Sequence, residues 1–256
     1  MAREALTFTG AFGDQLSARL DIPDDGAPRA YVLFAHCFTG SKDVLAGVRI
    51  AKALWSRNFA VLRFDFTGLG DSEGDFANTT FSSTVGDLVA AADYLRTERQ
   101  APAVLIGHSL GGAAVLAAAG KIPEAVAVCT IGAPAEPQHV EHHFAAARDE
   151  IESAGEAEVT IGGRSFRIRK SFIDDISGHR LEDSVRDMKK ALLVFHSPID
   201  DTVGIENAGM IYQAARHPKS FVCLDGADHL LTGRDDAYYV AEVIAAWANR
   251  YIEAAD

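Results

Sequence analysis

The chain has 256 residues, of which 48% are hydrophobic and 23% charged, and a formal net charge of −12. This length and composition are typical of a globular protein with a sizeable core, and the negative charge argues against nucleic acid or an anionic membrane as a partner. No run reaches the ~20 apolar residues that cross a bilayer, since residues 104–119 include His108, Ser109 and three glycines.

Short apolar runs alternate with helical periods along most of the chain. Two more polar strands, one around Phe8 and one over residues 15–22, are predicted at an antiparallel edge. Continuous apolar runs then predict buried parallel strands at residues 30–36, 59–65, 103–107, 125–131, 191–196 and 220–224. Helical spacing predicts helices at residues 44–56, 83–96, 110–119, 205–216 and 236–254. This alternation predicts an α/β fold, with a mostly parallel central sheet and helices on both faces.

Residues from about 136 to 190 break the alternation, because no core strand is predicted there. The pattern predicts a helix over residues 140–153, followed by a hairpin whose strands are joined by Gly162 and Gly163. Two glycines suit such a turn, since both of its residues need positive φ. A segment of roughly 50 residues is marginal for independent stability, so we expect one domain, residues 1–256, with an insertion over the sheet.

The segment Gly107-His108-Ser109-Leu110-Gly111 is a GxSxG motif between a predicted strand and a predicted helix. That context is the one a nucleophile elbow requires. The turn has no room for side chains at the two glycines, and it lifts the Ser109 hydroxyl above the sheet at a helix N-terminus, where the dipole favours negative charge. Ser109 is therefore the predicted nucleophile, and the alternative is a glycine-rich turn that serves only helix packing.

A serine nucleophile needs a histidine base and an acid that orients it. In hydrolases with this elbow the chain order is serine, acid, histidine. Of the nine histidines, only His229 follows an acid-bearing loop on the next strand end, the edge at which a parallel sheet gathers its site. Asp200 is the preferred acid, because Val203 then places a small apolar residue behind the turn, and Asp201 is the alternative.

The oxyanion of the tetrahedral intermediate needs two hydrogen-bond donors. One is expected to be the backbone N–H of Leu110, directly after the nucleophile. The other is expected from the loop His36-Cys37-Phe38-Thr39-Gly40, most naturally the N–H of Phe38. The alternative is that this loop is only a polar connection.

His139, His142 and His143 have the spacing of one helix face, which could hold a metal ion. Neither an HExxH motif nor a supporting ligand cluster accompanies them, so we expect no metal and no cofactor. Cys37 is a second candidate nucleophile, but it lacks an elbow and is better interpreted as a passive small residue.

The cysteines and the N-terminus indicate the cellular compartment in which the protein is expected. An odd number of widely spaced cysteines does not predict a disulfide framework, and reduced thiols in a cytoplasm are the simplest interpretation. The N-terminus lacks a basic head followed by a long apolar stretch, so no secretory signal is expected. The three cysteines are Cys37, Cys129 and Cys223.

Taken together, these motifs resemble the α/β-hydrolase family over essentially the whole chain. HCFTG resembles the family's oxyanion loop HGFxG, GHSLGG its nucleophile elbow, HSPIDDTV its acid loop HGxxDxxV, and GADH the segment that bears the catalytic histidine. HCFTGSKD, RFDFTGLGDSEGDF and VTIGGRSFRI resemble two neighbouring groups more closely, the cinnamoyl (feruloyl) esterases and the hydrolase half of bacterial hydrolase–OsmC fusions. Two departures are Cys37, where the family usually has glycine, and Gly204, where proline is common.

The resemblance implies a serine carboxylesterase that hydrolyses short acyl or aryl (hydroxycinnamoyl-type) esters of small molecules through a Ser-His-Asp triad and an acyl-enzyme. A thioesterase, peptidase or acyltransferase would use the same residues, and a catalytically inactive scaffold module is a further alternative. The sequence does not specify an oligomeric state. The insertion is expected to roof the substrate pocket, and its apolar side chains either line that pocket or pack within the insertion: Phe144, Ile161, Phe166, Ile168 and Phe172.

Overall fold

The computed structural model describes residues 2–24 and 27–253. Within them, ten strands are present: β1 (Ala2–Thr9), β2 (Gln15–Ile22), β3 (Ala30–Ala35), β4 (Phe59–Phe64), β5 (Pro102–His108), β6 (Ala127–Ile131), β7 (Glu156–Ile161), β8 (Arg164–Arg169), β9 (Ala191–His196) and β10 (Lys219–Cys223). Eight form one sheet in the order β1-β2-β4-β3-β5-β6-β9-β10, and β7 and β8 form a separate hairpin.

The pairing directions agree with the sequence pattern. Strand β1 pairs with β2, and β2 with β4, in antiparallel fashion, whereas all pairings from β4 across to β10 are parallel. Strands β3, β4, β6 and β9 are buried along their whole length, as expected of parallel strands covered on both faces. The predicted mostly parallel sheet with an antiparallel edge is therefore confirmed.

Eight α-helices occur in the described part of the chain: α1 (Leu45–Trp55), α2 (Phe81–Glu98), α3 (Leu110–Ala118), α4 (Arg148–Ala154), α5 (Lys170–Gly178), α6 (Leu181–Asp187), α7 (Glu206–Ala214) and α8 (Arg234–Ile252). Helices α1 and α8 bury their apolar residues in one core, on one face of the sheet. Helices α2, α3, α6 and α7 contribute to a second core on the opposite face. Helices on both faces confirm the predicted layer order.

Helix α2 shows why a helix can begin earlier than its apolar period. The Thr80 hydroxyl accepts a hydrogen bond from the N–H of Ser83, and the Ser83 hydroxyl accepts one from the N–H of Thr80. This capping box satisfies N–H groups that the first helical turn leaves without partners. The helix therefore starts at Phe81 rather than at the predicted residue 83.

The segment between β6 and β9 forms the insertion. The prediction of one helix over residues 140–153 is wrong, because a 3₁₀ segment (Pro137–Ala147) precedes the short helix α4. Phe144 leaves the helical region at φ −135° and buries its ring, so core packing here outweighs helical continuity. The hairpin prediction is confirmed, since Gly162 and Gly163 have φ values of 58° and 76°. Helices α5 and α6 were not predicted.

None of the helices in residues 2–24 and 27–253 combines the length and the apolar character needed to cross a membrane.

Candidate active site

Ser109 lies between the end of β5 and the start of α3, with a strained backbone at φ 55° and ψ −127°. Positive φ is rare for a residue with a side chain, and such strain tends to occur at functional positions. The neighbouring glycines are needed on steric grounds. A Cβ atom at Gly107 would lie 2.2 Å from the carbonyl oxygen of Gly111, and one at Gly111 would lie 2.4 Å from that of His36. The sequence thus produces a tight elbow that presents the Ser109 hydroxyl.

Three polar side chains from three strand ends form one hydrogen-bonded chain. His229 Nε2 is 2.9 Å from Ser109 Oγ, and His229 Nδ1 is 2.7 Å from Asp200 Oδ2. The carboxylate can only accept, so Nδ1 carries the proton and Nε2 is left with a lone pair for the serine O–H. Ser109 and Asp200 are each 9% exposed. This arrangement can activate the hydroxyl as a nucleophile.

The acid loop brings Asp200, and not Asp201, to the histidine. Asp200 Oδ1 accepts hydrogen bonds from the backbone N–H groups of Thr202 and Val203, at 3.0 and 2.8 Å. Burial raises the pKa of Asp200, but the hydrogen bonds from His229 and Val203 outweigh it, so the pKa lies below its ordinary value of 3.8. The neighbouring Asp201 is exposed, and its carboxylate accepts a long bond, 3.3 Å, from the Thr202 hydroxyl.

Gly132, directly after β6, approaches the side chains of Asp200 and His229 closely, and the sequence reasoning assigned it no role. It has a φ of 55°, and a Cβ atom built on it would lie 3.2 Å from Asp200 Oδ2 and 3.4 Å from His229 Nδ1. Any side chain here would crowd the Asp200–His229 hydrogen bond. The signal in the sequence was a glycine directly after a predicted strand.

The two expected oxyanion donors border the same small cleft as Ser109. Phe38 and Leu110 both line it. Leu110 is the first residue of α3, so its N–H has no intrahelical acceptor and is available to a ligand. Phe38 precedes Thr39, whose φ is 56°, and the turn is closed by a 2.9 Å bond from the N–H of Gly40 to the carbonyl of Cys37.

A buried lysine with one buried and one exposed carboxylate partner anchors the loop that contains Phe38. Lys42 is 4% exposed, and its Nζ lies 2.6 Å from both Asp65 Oδ2 and Asp71 Oδ2. Burial lowers the pKa of Lys42, but the hydrogen bonds to the two carboxylates raise it above its ordinary value overall. Lys42 therefore stays charged and ties this loop to the end of β4. The sequence reasoning assigned Lys42 no role.

A narrow aromatic cavity adjoins the elbow, and it encloses about 430 Å³ of space, some of it open to solvent. Phe38 and Leu110 separate it from the Ser109 cleft, since both residues line both spaces. Aromatic rings make up much of the wall, and Asp87 with several hydroxyl side chains borders it as well. The lining residues that sequence reasoning did not single out include Phe66, Leu69, Phe76, Thr79, Ser83 and Asp87.

The five predicted pocket residues of the insertion divide into three groups: one lines the cavity, two pack against rings that line it, and two do neither. Phe172 lines the cavity, its ring 5.7 Å from that of Phe38. Phe144 packs on Phe172 at 6.2 Å, and Phe166 packs on the lining ring of Phe76 at 5.0 Å. Two further residues are buried in the core and line neither space, namely Ile161 and Ile168.

Three imidazoles of the insertion border the cleft over Ser109. The rings of His142 and His143 are 3.9 Å apart, and those of His139 and His142 are 4.9 Å apart. His139 Nε2–H donates to the carbonyl of Thr202 at 2.8 Å, which joins the insertion to the acid loop. Across residues 2–24 and 27–253, no group of three or more His, Cys, Asp or Glu side chains has the geometry of a metal site.

Comparisons with known proteins place this geometry in a family. Residues 32–253 match the alpha/beta hydrolase family model. The structure of the esterase domain of a Rhodothermus marinus protein is 51% identical in sequence, with a TM-score of 0.80 over 98% of this chain and 100% of that one. Est1E of Butyrivibrio proteoclasticus, solved with ferulic acid bound, is 23% identical, with a TM-score of 0.79 over 97% of this chain and 100% of that one, and so shares the fold.

A curated relative is similar over a shorter region. Mouse mitochondrial palmitoyl-protein thioesterase ABHD10 is 27% identical over 178 residues, which are 67% of this chain. The match spans 59% of the length of the thioesterase. Because the family model matches most of the chain and the triad geometry agrees with it, the protein belongs to the α/β-hydrolase family.

Proposed function

We propose that the protein is a serine carboxylesterase that hydrolyses short acyl or aryl (hydroxycinnamoyl-type) esters of small molecules. The observation that carries this proposal is the hydrogen-bonded chain Asp200–His229–Ser109 at a strained elbow. The 51% identity to the esterase domain of the Rhodothermus marinus protein supports the ester bond as the target. An inactive scaffold module would have no need to maintain this geometry.

In the proposed acylation, Ser109 Oγ attacks the ester carbonyl carbon while His229 Nε2 takes the hydroxyl proton. The carbonyl oxygen becomes an oxyanion, which accepts hydrogen bonds from the N–H groups of Phe38 and Leu110. Asp200 stabilises the imidazolium through its bond to Nδ1. The intermediate then collapses, the ester C–O bond breaks, and His229 gives its proton to the departing alcohol.

The proposed deacylation runs the same steps with water as the nucleophile. Water attacks the acyl carbonyl of the Ser109 ester and passes a proton to His229 Nε2. The second oxyanion occupies the same donors, and its collapse releases the carboxylic acid. The proton then returns from His229 to Ser109 Oγ, so the free enzyme is regenerated without any added oxidant, reductant or co-reactant.

The aromatic cavity supports an acyl group that is short or flat. The cavity adjoins the Ser109 cleft across Phe38 and Leu110, which line both spaces, and the rings of Phe66, Phe76 and Phe172 give it apolar walls suited to an aryl group. Est1E, which shares the fold, was solved with ferulic acid bound. These observations favour cinnamoyl-type esters over long unbranched chains as the substrates to test first.

A thioesterase is the second candidate, because mouse ABHD10 is named as a palmitoyl-protein thioesterase and is 27% identical over two thirds of this chain. The same triad cleaves thioesters, whose leaving group is a thiol.

For the cellular compartment, we propose a reducing cytoplasmic setting, since Cys37, Cys129 and Cys223, all in the described part, are free thiols.

The proposal is tested by comparing initial rates on p-nitrophenyl acetate, butyrate and octanoate, methyl ferulate and a palmitoyl thioester, with Ser109→Ala as the blank. We expect hydrolysis of the short and aryl esters by the parent and none by the variant. Faster turnover of the palmitoyl thioester than of every oxygen ester would favour the thioesterase. Hydrolysis that persists in Ser109→Ala would contradict the proposed nucleophile.

A further inference from the structure

Two buried histidines outside the triad stand at strand ends beneath the two loops that carry its acid and base. His108 ends β5 directly before Ser109 and is 2% exposed, whereas His196 ends β9 and is 0% exposed. Each ring makes one hydrogen bond through Nε2 to a backbone carbonyl. His108 bonds to the carbonyl of His229 and His196 to that of Val203, both at 2.7 Å.

The chemistry of His108 fixes which nitrogen carries its proton. Burial lowers the pKa of this imidazole to about 4, so the ring is neutral at pH 7. Because a carbonyl only accepts, the proton is on Nε2. Nδ1 is buried and has no hydrogen-bond partner in the described part of the chain. An unpartnered buried nitrogen is costly, and the one bond that the ring does make goes to the backbone of the base itself.

Other hydrogen bonds of the His229 loop involve residues on either side of His229. The N–H of Leu224 donates to the carbonyl of His196 at 2.9 Å, and Asp228 accepts from the N–H of Leu231 at its carbonyl and from the N–H of Thr232 at its side chain, at 3.1 and 3.0 Å. The bond from His108 reaches the loop at His229, where the backbone position sets the distance from Nε2 to Ser109 Oγ. His108 thus connects the nucleophile elbow directly to the base.

His196 acts on the acid loop in a parallel way. Val203 donates its N–H to Asp200 Oδ1 at 2.8 Å and accepts the Nε2–H of His196 at its carbonyl. Val203 is therefore hydrogen-bonded both to His196 at the strand end and to the Asp200 carboxylate, so His196 restricts the position of Asp200 through Val203. The ring of His196 also lies beneath that carboxylate, with Nε2 3.8 Å from Asp200 Oδ2.

We propose that His108 and His196 are positioning residues of the triad, His108 fixing the backbone of the base and His196 that of the acid loop. This inference rests on the proposed function of Ser109, Asp200 and His229. Neither histidine lines the Ser109 cleft or the aromatic cavity. Their contribution is the alignment of Nε2 with Ser109 Oγ, and displacements of about 1 Å in such contacts can cost on the order of 100-fold in rate.

Matched substitutions separate this positioning from a merely structural role. In His108→Gln the side-chain amide retains an N–H donor close to the position of Nε2, whereas His108→Met has a similar length and no donor. On p-nitrophenyl acetate we expect the Met variant to lose at least about 10-fold in kcat with KM changed less than about 3-fold. The Gln variant should recover most of the loss, and the same pattern is expected at His196.

Folding is controlled by measuring the Tm of each variant. If the Met variant does not fold, His108→Asn replaces it, because its shorter side chain retains the amide but does not reach the carbonyl of His229. Equal kcat losses in the folded Gln variant and in the Met variant or its Asn replacement, or parental kcat in all of these variants, would overturn the positioning role.

The rate of Ser109 labelling by a fluorophosphonate is the second readout, because it does not depend on the ester chosen. Parental labelling rates in the variants that lack the hydrogen bond to the backbone carbonyl would overturn only the inference about His108 and His196, and the proposed function would stand. A parent protein that the probe does not label would overturn the proposed function, and the positioning role with it.

Discussion

Exchanging the acid for its amide is a demanding test of the site, because Asp200 and Asp201 are neighbours of identical chemistry in different surroundings. In Asp200→Asn the bond to His229 Nδ1, 2.7 Å long in the parent, loses its charge. If the amide nitrogen faces the ring, His229 must carry its proton on Nε2 and can no longer accept the Ser109 proton. Such a tautomer change costs on the order of 10⁴ in kcat, which is about 5.4 kcal/mol in activation free energy.

Asp201→Asn is the matched control. Its carboxylate is exposed and accepts a 3.3 Å bond from the Thr202 hydroxyl. Because exposed charges interact weakly with their surroundings, its loss of charge should change kcat by less than about 3-fold. The assay is the steady-state kcat on p-nitrophenyl acetate for the parent and both variants. The reasoning is refuted if Asp201→Asn is the damaging change, or if Asp200→Asn stays within tenfold of the parent.

Three further outcomes are expected. Gly107→Ala should fail to fold or should melt well below the parent in a thermal scan, because its Cβ would lie 2.2 Å from a backbone oxygen. Gly120→Ala is the control: its Cβ would have no heavy atom within 4 Å other than those of its neighbours along the chain, so this variant should melt within about 2 °C of the parent. Phe172→Ala should reorder the ester series by roughly 1–3 kcal/mol in activation free energy, whereas Ile168→Ala, which lines neither space, should leave the profile parallel to the parent; parallel profiles for both variants would remove Phe172 from the pocket. The folded-state pKa of Asp200 lies below its ordinary value of 3.8, so ionised Asp200 stabilises the fold above pH 3.8, and this stabilisation is lost as the pH falls through the folded-state pKa. The difference in unfolding free energy between the parent and Asp200→Asn should therefore shrink from pH 6 to pH 3 in urea titrations. A difference that stays constant over this range would contradict the prediction.

The strands and the hydrogen-bonded triad could be predicted from local patterns. Buried parallel strands are continuous apolar runs, and each triad residue follows such a run at the same sheet edge. The elbow glycines also have a local cause, since the collision of Gly107 with Gly111 arises within five residues. Even the choice of Asp200 over Asp201 had a signal, because Val203 closes the acid turn onto Asp200 Oδ1.

The insertion and the inner supports of the site depend on contacts between distant segments, which local patterns do not contain. Phe144 breaks its helix to bury a ring against Phe172. In the sequence, Ile168 and Phe172 are equivalent candidates for the pocket lining, because both are apolar residues of the insertion. In the structure, Phe172 lines the cavity and Ile168 does not. The bond from His108 to the carbonyl of His229 joins residues 121 positions apart, so it becomes visible only once the fold is known.

The most direct test of the account is covalent labelling with a fluorophosphonate, followed by mass spectrometry of the digested protein. We predict one adduct, on Ser109, with labelling abolished in Ser109→Ala and slowed in Asp200→Asn, because only a serine activated by His229 reacts rapidly. Parental labelling of Ser109→Ala, an adduct on Cys37 instead, or no adduct on the folded parent protein would contradict the central claim that Ser109, His229 and Asp200 form a working triad.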